Sequence, residues 1–285
     1  MNLRTSAVIR PLGALGVLWC VLLSACGGDA KTQSSTHGGA PVALNAADAQ
    51  ALVARRERLA NAAGGPDGRN YAITANVASG TLSGVVTSSS APPDTTVVPT
   101  HDLIACKPFT QPAYPARANG VGEAVVWLSG VSTGRADDAP RRATLMLHNC
   151  QLEPRVQRVA AGGTILVNSR DAMTSRLRFT DLGALNGLRA TVLLNDAGQV
   201  VPTGDATFTP GIVAVRDDLH PWVRAYLAVT PHPFVAITEA DGAFRFERVP
   251  PGSYTLVVWH ERFGTHTRPV NVRAGSEANM PVQLR

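Results

Sequence analysis

The sequence predicts an all-β protein built from two antiparallel β-sandwiches, preceded by a flexible tether and a short helix. Apolar and polar residues alternate in short segments rich in Val, Leu, Thr and aromatic residues, notably Glu123–Ser129, Thr164–Asn168, Arg176–Phe179, Phe244–Arg248 and Ser253–Trp259. Gly and Pro separate these segments, and no helical period lies between them. Many short strands without intervening helices are typical of sandwich folds.

The chain begins with the pattern of an export signal. Arg4 and Arg10 give a basic start, and Leu12–Leu23 is an apolar run of 12 residues. A membrane-spanning helix needs about 20 such residues, so the run is too short to span a bilayer. Residues 1–25 are therefore predicted to be a signal peptide that is removed.

The signal ends in Leu-Ser-Ala-Cys, which resembles the lipobox of bacterial lipoproteins. That resemblance implies that Cys26 becomes the first residue and carries fatty acyl chains such as palmitate. Ordinary cleavage after Ala25 is the alternative. Gly27 stands where retained inner-membrane lipoproteins usually carry aspartate, so the resemblance implies the periplasmic face of the outer membrane, with the membrane as partner through the anchor.

Residues 26–74 are predicted to form the lipidated tether and a short helix. The segment from Gly27 to Pro41 is rich in Gly, Ser and Thr, a composition typical of flexible linkers. Asn45 is a candidate helix N-cap, and Gly64 is the corresponding stop. About 210 residues then follow for the folded body, enough for two cores.

The cysteines predict one disulfide in the folded body. Cys20 leaves with the signal and Cys26 carries lipid, so Cys106 and Cys150 remain. An even pair in an oxidising compartment is expected to form a disulfide. Closing a loop of ~45 residues is worth about 4 kcal/mol in the chain-entropy model. The alternative is a pair of thiolate metal ligands, although no His or Cys at zinc-like spacing accompanies either residue.

Charge and motifs argue against nucleic-acid binding and catalysis. The formal net charge is +5 and the arginines are scattered, so no basic stripe with interleaved aromatics is present. Gly130-Val-Ser-Thr-Gly134 matches a nucleophile-elbow pattern, but the following residues start no helix, so a loop is predicted. His260-Glu261 follows a predicted strand, where a surface ion pair or core-edge histidine is favoured over a general base. We expect no enzymatic activity.

Several segments carry a family resemblance. Four of them resemble parts of a plastocyanin-like cupredoxin domain: Arg155-Val156, Gly162–Asn168, Phe208–Ile212 and His220-Pro221-Trp222. Two others resemble parts of a carboxypeptidase regulatory-like domain, which is a transthyretin-type sandwich: Thr238–Gly242 and Val249–Leu256. The two domains occur together in bacterial proteins often labelled plastocyanin or methylamine utilisation protein. The resemblance implies that the two predicted sandwiches are of these two types.

We expect the cupredoxin-like domain, residues 143–230, to be inserted into a discontinuous regulatory-like sandwich formed by residues 75–142 and 231–285. Gly80–Val86 resembles the opening strand of the host module and Glu123–Leu128 a following one. Val125–Leu128 should then share a sandwich with Tyr254–Trp259. Asp241-Gly242, between two strand patterns, predicts a tight hairpin in which both residues have positive φ.

The residues at the copper-ligand positions depart from the family pattern. Blue copper sites use two imidazoles, a thiolate and usually an axial methionine. Alignment on the shared segments places Ser175 at the first histidine, Asp217 at the cysteine and Val223 at the methionine, so only His220 remains. The resemblance therefore implies vestigial positions, with no type 1 copper and no cofactor. A site for a harder metal at Asp217 and His220 is one alternative, and a packed, carboxylate- or backbone-bound His220 is the other.

Together these observations predict a non-enzymatic binding or structural lipoprotein. An envelope glycan or protein partner is one possibility, because the regulatory-like sandwich is grouped with carbohydrate-binding-like folds. Only Trp127, Trp222 and Trp259 remain after the signal to build an aromatic platform for sugar. A metal-binding or electron-transfer protein of the plastocyanin type is the other alternative.

Overall fold

The computed structural model describes residues 71–74, 78–89, 93–182, 187–204 and 208–285, and every regular element in them is a β-strand. The strands, in chain order, are β1 (Ala72–Ile73), β2 (Gly80–Ser88), β3 (Thr95–Val97), β4 (Phe109–Gln111), β5 (Val125–Ser129), β6 (Thr133–Gly134), β7 (Arg142–His148), β8 (Gln151–Glu153), β9 (Val156–Ala160), β10 (Thr164–Ser169), β11 (Ser175–Asp181), β12 (Leu188–Leu194), β13 (Val200–Pro202), β14 (Gly211–Asp217), β15 (Arg224–Thr230), β16 (Val235–Ile237), β17 (Ala243–Val249), β18 (Gly252–His260), β19 (Gly264–Val272), β20 (Glu277–Asn279) and β21 (Val282–Leu284). The predicted all-β class is confirmed.

The N-terminal predictions concern a part of the chain that is not described. The signal peptide, the lipidation site Cys26, the tether from Gly27 to Pro41 and the helix after Asn45 all lie outside the described residues. Residues 71–74, predicted to end the same segment, instead contain β1, which pairs with β6. No membrane-spanning helix is found in the ranges given above.

Residues 142–230 form one sandwich, which we call the central sandwich. One sheet has the strand order β13-β10-β7-β8 and the other β12-β11-β14-β15-β9. Inward-facing residues such as Leu145, Ile165, Leu177 and Phe179 are fully buried between them. The β7–β10 and β9–β15 pairs are parallel, so these sheets are mixed, unlike the antiparallel sheets predicted. Each parallel pair joins strands that are not chain neighbours, which gives room for the crossover that parallel pairing needs.

The strands on either side of residues 142–230 form a second sandwich, which we call the flanking sandwich. Its sheets have the orders β16-β5-β18-β19 and β17-β2-β20, and β21 also pairs with β2. Leu128 lies opposite Leu256 and Trp127 opposite Val257 in the β5–β18 pair. The pairing expected between Val125–Leu128 and Tyr254–Trp259 is therefore observed. Since β5 precedes the central sandwich and β18 follows it, the flanking sandwich is discontinuous in sequence.

The segment around Asp241-Gly242 is not the predicted hairpin. β16 pairs with β5, whereas β17 pairs with β2 in the opposite sheet, so the turn carries the chain from one sheet to the other. Only Gly242 of the two residues has a positive φ, +75°. A Cβ at Gly242 would lie 2.0 Å from the carbonyl oxygen of Val86. Glycine is required there by close backbone contact as well as by conformation.

The two sandwiches pack against each other face to face. In β5, Val126 and Leu128 point into the flanking core, whereas Val125 and Trp127 belong to a separate buried cluster. That cluster also contains Tyr226 from β15, together with Val156, Ala214, Ala228, Val235, Val257 and Trp259. Strands β5 and β15, the middle of β14 and the second half of β18 are therefore buried on both faces. This is why these strands read as continuous apolar runs.

A buried ion pair joins the sandwiches beside this apolar contact. Arg155, just before β9, donates from Nε and Nη2 to the two carboxylate oxygens of Glu261, at 2.7 and 2.9 Å. Glu261 follows β18 in the flanking sandwich. Both side chains are almost buried, so this two-point contact orients one sandwich on the other.

Candidate functional site

The candidate site is the end of the central sandwich where β14 turns into β15. Asp217 is the last residue of β14, and its backbone N–H donates to the carbonyl of Val223 at 3.1 Å. The Val223 N–H donates in turn to the carbonyl of His220 at 2.9 Å. The loop is therefore closed tightly, and it holds the His220 ring inside the sandwich end.

His220 is clamped between two carboxylates. Its Nδ1 lies 2.7 Å from Oδ2 of Asp217, and its Nε2 lies 2.7 Å from Oδ2 of Asp102. The side chain is only 1% exposed, and its ring packs edge-on against Trp222, 5.4 Å away. Both ring nitrogens are occupied by hydrogen bonds, so neither offers a free lone pair to a metal.

Asp217 is the centre of a hydrogen-bond network rather than a free ligand. Its Oδ1 accepts the backbone N–H groups of Arg176 and Leu219, each at 3.0 Å, while Oδ2 faces His220. The carboxylate is fully buried. Three hydrogen bonds satisfy this buried charge and join β11, β14 and the histidine loop.

Asp102 comes from a distant part of the chain that the sequence did not single out. It lies in residues 98–108, between β3 and β4, which we call the cap loop. Its φ is +52°, and its carbonyl accepts the N–H groups of Ala105 and Cys106. This tight turn directs its carboxylate to His220. The sequence shows only an aspartate within a loop, a residue type that tolerates positive φ, and no motif marks it as a partner of His220.

The other predicted positions lie in the same part of the sandwich. Ser175 begins β11 and is fully buried, and its hydroxyl has no hydrogen-bond partner. Its neighbour Arg176 contacts Asp217 through the backbone. Val223 is fully buried in the central core. The positions that alignment grouped are thus close in the fold, but their chemistry is a hydroxyl, a carboxylate, a clamped imidazole and an isopropyl group.

These side chains do not fit type 1 copper. That centre needs a thiolate and two imidazoles with free nitrogen lone pairs. Within the described ranges, no group of three or more His, Cys, Asp or Glu is arranged to hold a metal ion. The arrangement instead stabilises the sandwich end, as the packed and carboxylate-bound alternative for His220 predicted.

The predicted disulfide is confirmed and holds the cap loop on the central sandwich. Cys106 of the cap loop bonds to Cys150 in the turn between β7 and β8, with their Cα atoms 5.5 Å apart. The Sδ of Met173 lies 3.6 Å from both sulfurs. Asp171 accepts the backbone N–H groups of Asn149 and Cys150, which fixes the turn that carries Cys150.

The remaining motif candidates are structural. The elbow-like Gly130–Gly134 segment runs into the short strand β6. His260 is 1% exposed at the end of β18, with its ring against Tyr114 and Phe263, each 5.2 Å away. Burial lowers the pKa of His260 to about 4. Of the two predictions for this motif, the core-edge histidine describes His260, whereas the ion pair of Glu261 with Arg155 is largely buried between the sandwiches and not at the surface.

Comparisons with known proteins match parts of the chain. The carboxypeptidase regulatory-like domain family matches residues 213–285, about a quarter of the chain. That match begins within β14, so it also covers two strands that pair inside the central sandwich. A search of curated proteins found no match.

Among solved structures, the chain is similar to copper proteins over about a third of its length. Amicyanin from Paracoccus versutus is 14% identical, with 32% of this chain and 81% of that chain covered and a TM-score of 0.27. The purple cupredoxin from Nitrosopumilus maritimus is 12% identical, with 31% of this chain and 99% of that chain covered and a TM-score of 0.25. The Cu-containing nitrite reductase from Thermus scotoductus is 14% identical, with 31% of this chain covered and a TM-score of 0.25. The match covers 22% of that protein, so the chain spans about a fifth of it.

Proposed function

We propose that this chain is a non-enzymatic lipoprotein on the periplasmic face of the outer membrane, acting as a binding or structural module. The observation that carries the proposal is the clamping of His220 between Asp217 and Asp102, each at 2.7 Å. A residue that could bind metal is used here for internal hydrogen bonding. The function is then provided by the surface of the two stacked sandwiches.

The tryptophans favour a structural role or a protein partner over a glycan. Trp127 and Trp259 are each 8% exposed, because they pack between the two sandwiches. Trp222 packs on His220. Trp127 and Trp259 therefore offer no open ring face for stacking against a sugar, and Trp222 is partly buried against the central core.

The first test is the copper content of the full chain purified in detergent. We expect no stoichiometric copper and no intense visible thiolate-to-copper band, since Asp217 and Ser175 occupy the ligand positions. The triple variant Ser175→His, Asp217→Cys and Val223→Met should gain the band, because these positions lie with His220 at one end of the central sandwich and would supply the missing imidazole, thiolate and thioether.

The matched control is the double variant Ser175→His and Val223→Met, which lacks the thiolate and should stay colourless. One copper bound per unmodified, disulfide-bonded chain, measured by metal analysis after dialysis, would refute the proposal.

The second test concerns the anchor. Two acyl chains hold a protein on a membrane far better than one, so Cys26→Ser should move the protein to the soluble fraction or leave it unprocessed. Cys20→Ser is the matched control, because Cys20 lies within the predicted signal. Fractionation and intact-mass spectrometry provide the measurement. An unmodified residue 26 in the mature wild-type chain would contradict the prediction.

A further inference from the structure

The strongest unassigned feature is a cluster of three buried sulfur atoms. Met173 Sδ lies 3.6 Å from Cys106 Sγ and 3.6 Å from Cys150 Sγ. All three side chains are at most 2% exposed. We propose that, when the disulfide is reduced, the two thiolates and this thioether form a three-sulfur site that binds Cu(I).

The ligand chemistry selects the metal. Thiolate and thioether sulfurs are soft donors, and soft donors favour Cu(I). Zinc would compete for the thiolates, but its usual ligands are Cys, His, Asp and Glu in a four-coordinate site. A thioether as the third donor therefore favours Cu(I) over Zn²⁺. The proposed site uses none of the vestigial positions Ser175, Asp217, His220 and Val223.

The reaction that opens the site is a thiol–disulfide exchange. A dithiol reductant supplies two electrons and two protons, the Cys106–Cys150 bond breaks, and the reductant leaves as its own disulfide. Cu(I) then displaces the two thiol protons and forms bonds to both sulfurs and to Met173. Copper keeps its oxidation state throughout the binding step.

The backbone holds the donors in place without the disulfide. Cys150 donates its N–H to Oδ2 of Asp171 at 2.7 Å. Cys106 donates its N–H to the carbonyl of Asp102 at 2.8 Å, and the Asp102 carboxylate is bound to His220. The His220 contact therefore keeps the cap loop over the sandwich after reduction. It gives Asp102 a positioning role for the copper site.

Access to the sulfurs is through the cap loop. Ile104, two residues before Cys106, is 94% exposed, and Leu103 is also exposed. The loop that buries the sulfurs is thus itself at the surface. A small displacement of this loop brings a reductant or a copper donor to Cys106, whereas Cys150 and Met173 stay on the sandwich.

The experiment uses the full chain with Cys20→Ser and Cys26→Ser, so that Cys106 and Cys150 are its sole thiols. The chain is reduced with dithiothreitol in detergent, freed of reductant without oxygen, and titrated with Cu(I) against the chromogenic chelator bathocuproine disulfonate. We expect one Cu(I) per reduced chain and none per oxidised chain. X-ray absorption at the copper edge should show three sulfur neighbours.

Variants separate a three-sulfur site from a simple dithiol. Met173→Leu, which conserves core volume, should weaken Cu(I) binding by about tenfold or more and leave two sulfur neighbours. Asp102→Asn should weaken it by about 10–100-fold with three sulfur neighbours retained. Met280→Leu is the matched control, because Met280 packs on the flanking core.

Three results would each overturn the inference. They are a reduced parent chain that takes no Cu(I), Cu(I) binding that Met173→Leu does not weaken, and loss of the folded circular-dichroism signal on reduction. Copper on the oxidised chain would instead overturn the proposed function, so the two failures are distinguishable.

Discussion

Replacing Asp217 with alanine is expected to lower the free energy of unfolding by about 3–5 kcal/mol, since it leaves three hydrogen-bond donors at the sandwich end without their acceptor, each at a cost of about 1–3 kcal/mol. His220 loses the acceptor at Nδ1, and two backbone N–H groups, of Arg176 and Leu219, lose theirs. Urea unfolding followed by tryptophan fluorescence measures the change, and Trp222 beside His220 reports on it locally.

Asp218→Ala is the matched control, because Asp218 is the next residue and carries the same charge. Its carboxylate pairs with the exposed side chains of Arg176 and Arg178, and such surface pairs are worth about 0–1 kcal/mol. Asp217→Asn should fall between the two, because an amide oxygen in the place of Oδ1 can still accept both backbone N–H groups, whereas the amide nitrogen cannot accept a hydrogen bond from His220. An equal loss of unfolding free energy in Asp217→Ala and Asp218→Ala would show that the buried network stabilises the protein no more than a surface ion pair does.

Acidification between pH 6.5 and 4 is expected to destabilise the protein through His232 and His260. Burial lowers the pKa of both to about 4, from an ordinary value of 6.5. In each histidine Nδ1 accepts a backbone N–H, so the hydrogen of the neutral ring is on Nε2, which has no partner. A second proton has no place at Nδ1, which is already occupied as an acceptor.

The sign follows from the depressed pKa. Above pH 6.5 both histidines are neutral in the folded and unfolded chains, and the stability is complete. Below pH 6.5 the two histidines bind protons in the unfolded chain but stay neutral in the folded chain, so the free energy of unfolding falls until the pH reaches about 4. Each histidine contributes up to about 3 kcal/mol to this loss.

Denaturant titrations at pH 7 and 4.5 provide the measurement. The double variant His232→Gln and His260→Gln should lose less stability over this interval than the parent, even if it starts lower. His101→Gln, at an exposed loop position, is the control and should keep the parent's dependence. A double variant with the parent's full pH dependence would contradict the assignment.

The sequence alone determined the strands, the disulfide and the absence of copper-ligand residue types. Period-two patterns identified β10, β11 and β17, because alternation reflects burial on one face, which is a local property. Short runs rich in Val, Leu and Trp identified β5 and β18. Cysteine parity predicted the Cys106–Cys150 bond. The residue types at Ser175, Asp217 and Val223 excluded a thiolate there without any knowledge of geometry.

The tertiary structure decided how strands pair and which faces are buried. The Asp241-Gly242 turn looked like a hairpin because a tight turn has the same local sequence whether its strands pair or cross between sheets. The continuous apolar runs in β5 and β18 contained the signal for burial on both faces, but the second covering layer comes from β14 and β15, far away in sequence.

The site itself depended on long-range contacts. Asp102 reaches His220 across 118 residues, and Met173 meets Cys106 across 67. No local pattern encodes such a contact, because loop closure is governed by the packing of everything between the two ends. Sequence determined which donors were missing from the copper positions, and only the fold decided what His220 and the three sulfurs contact instead.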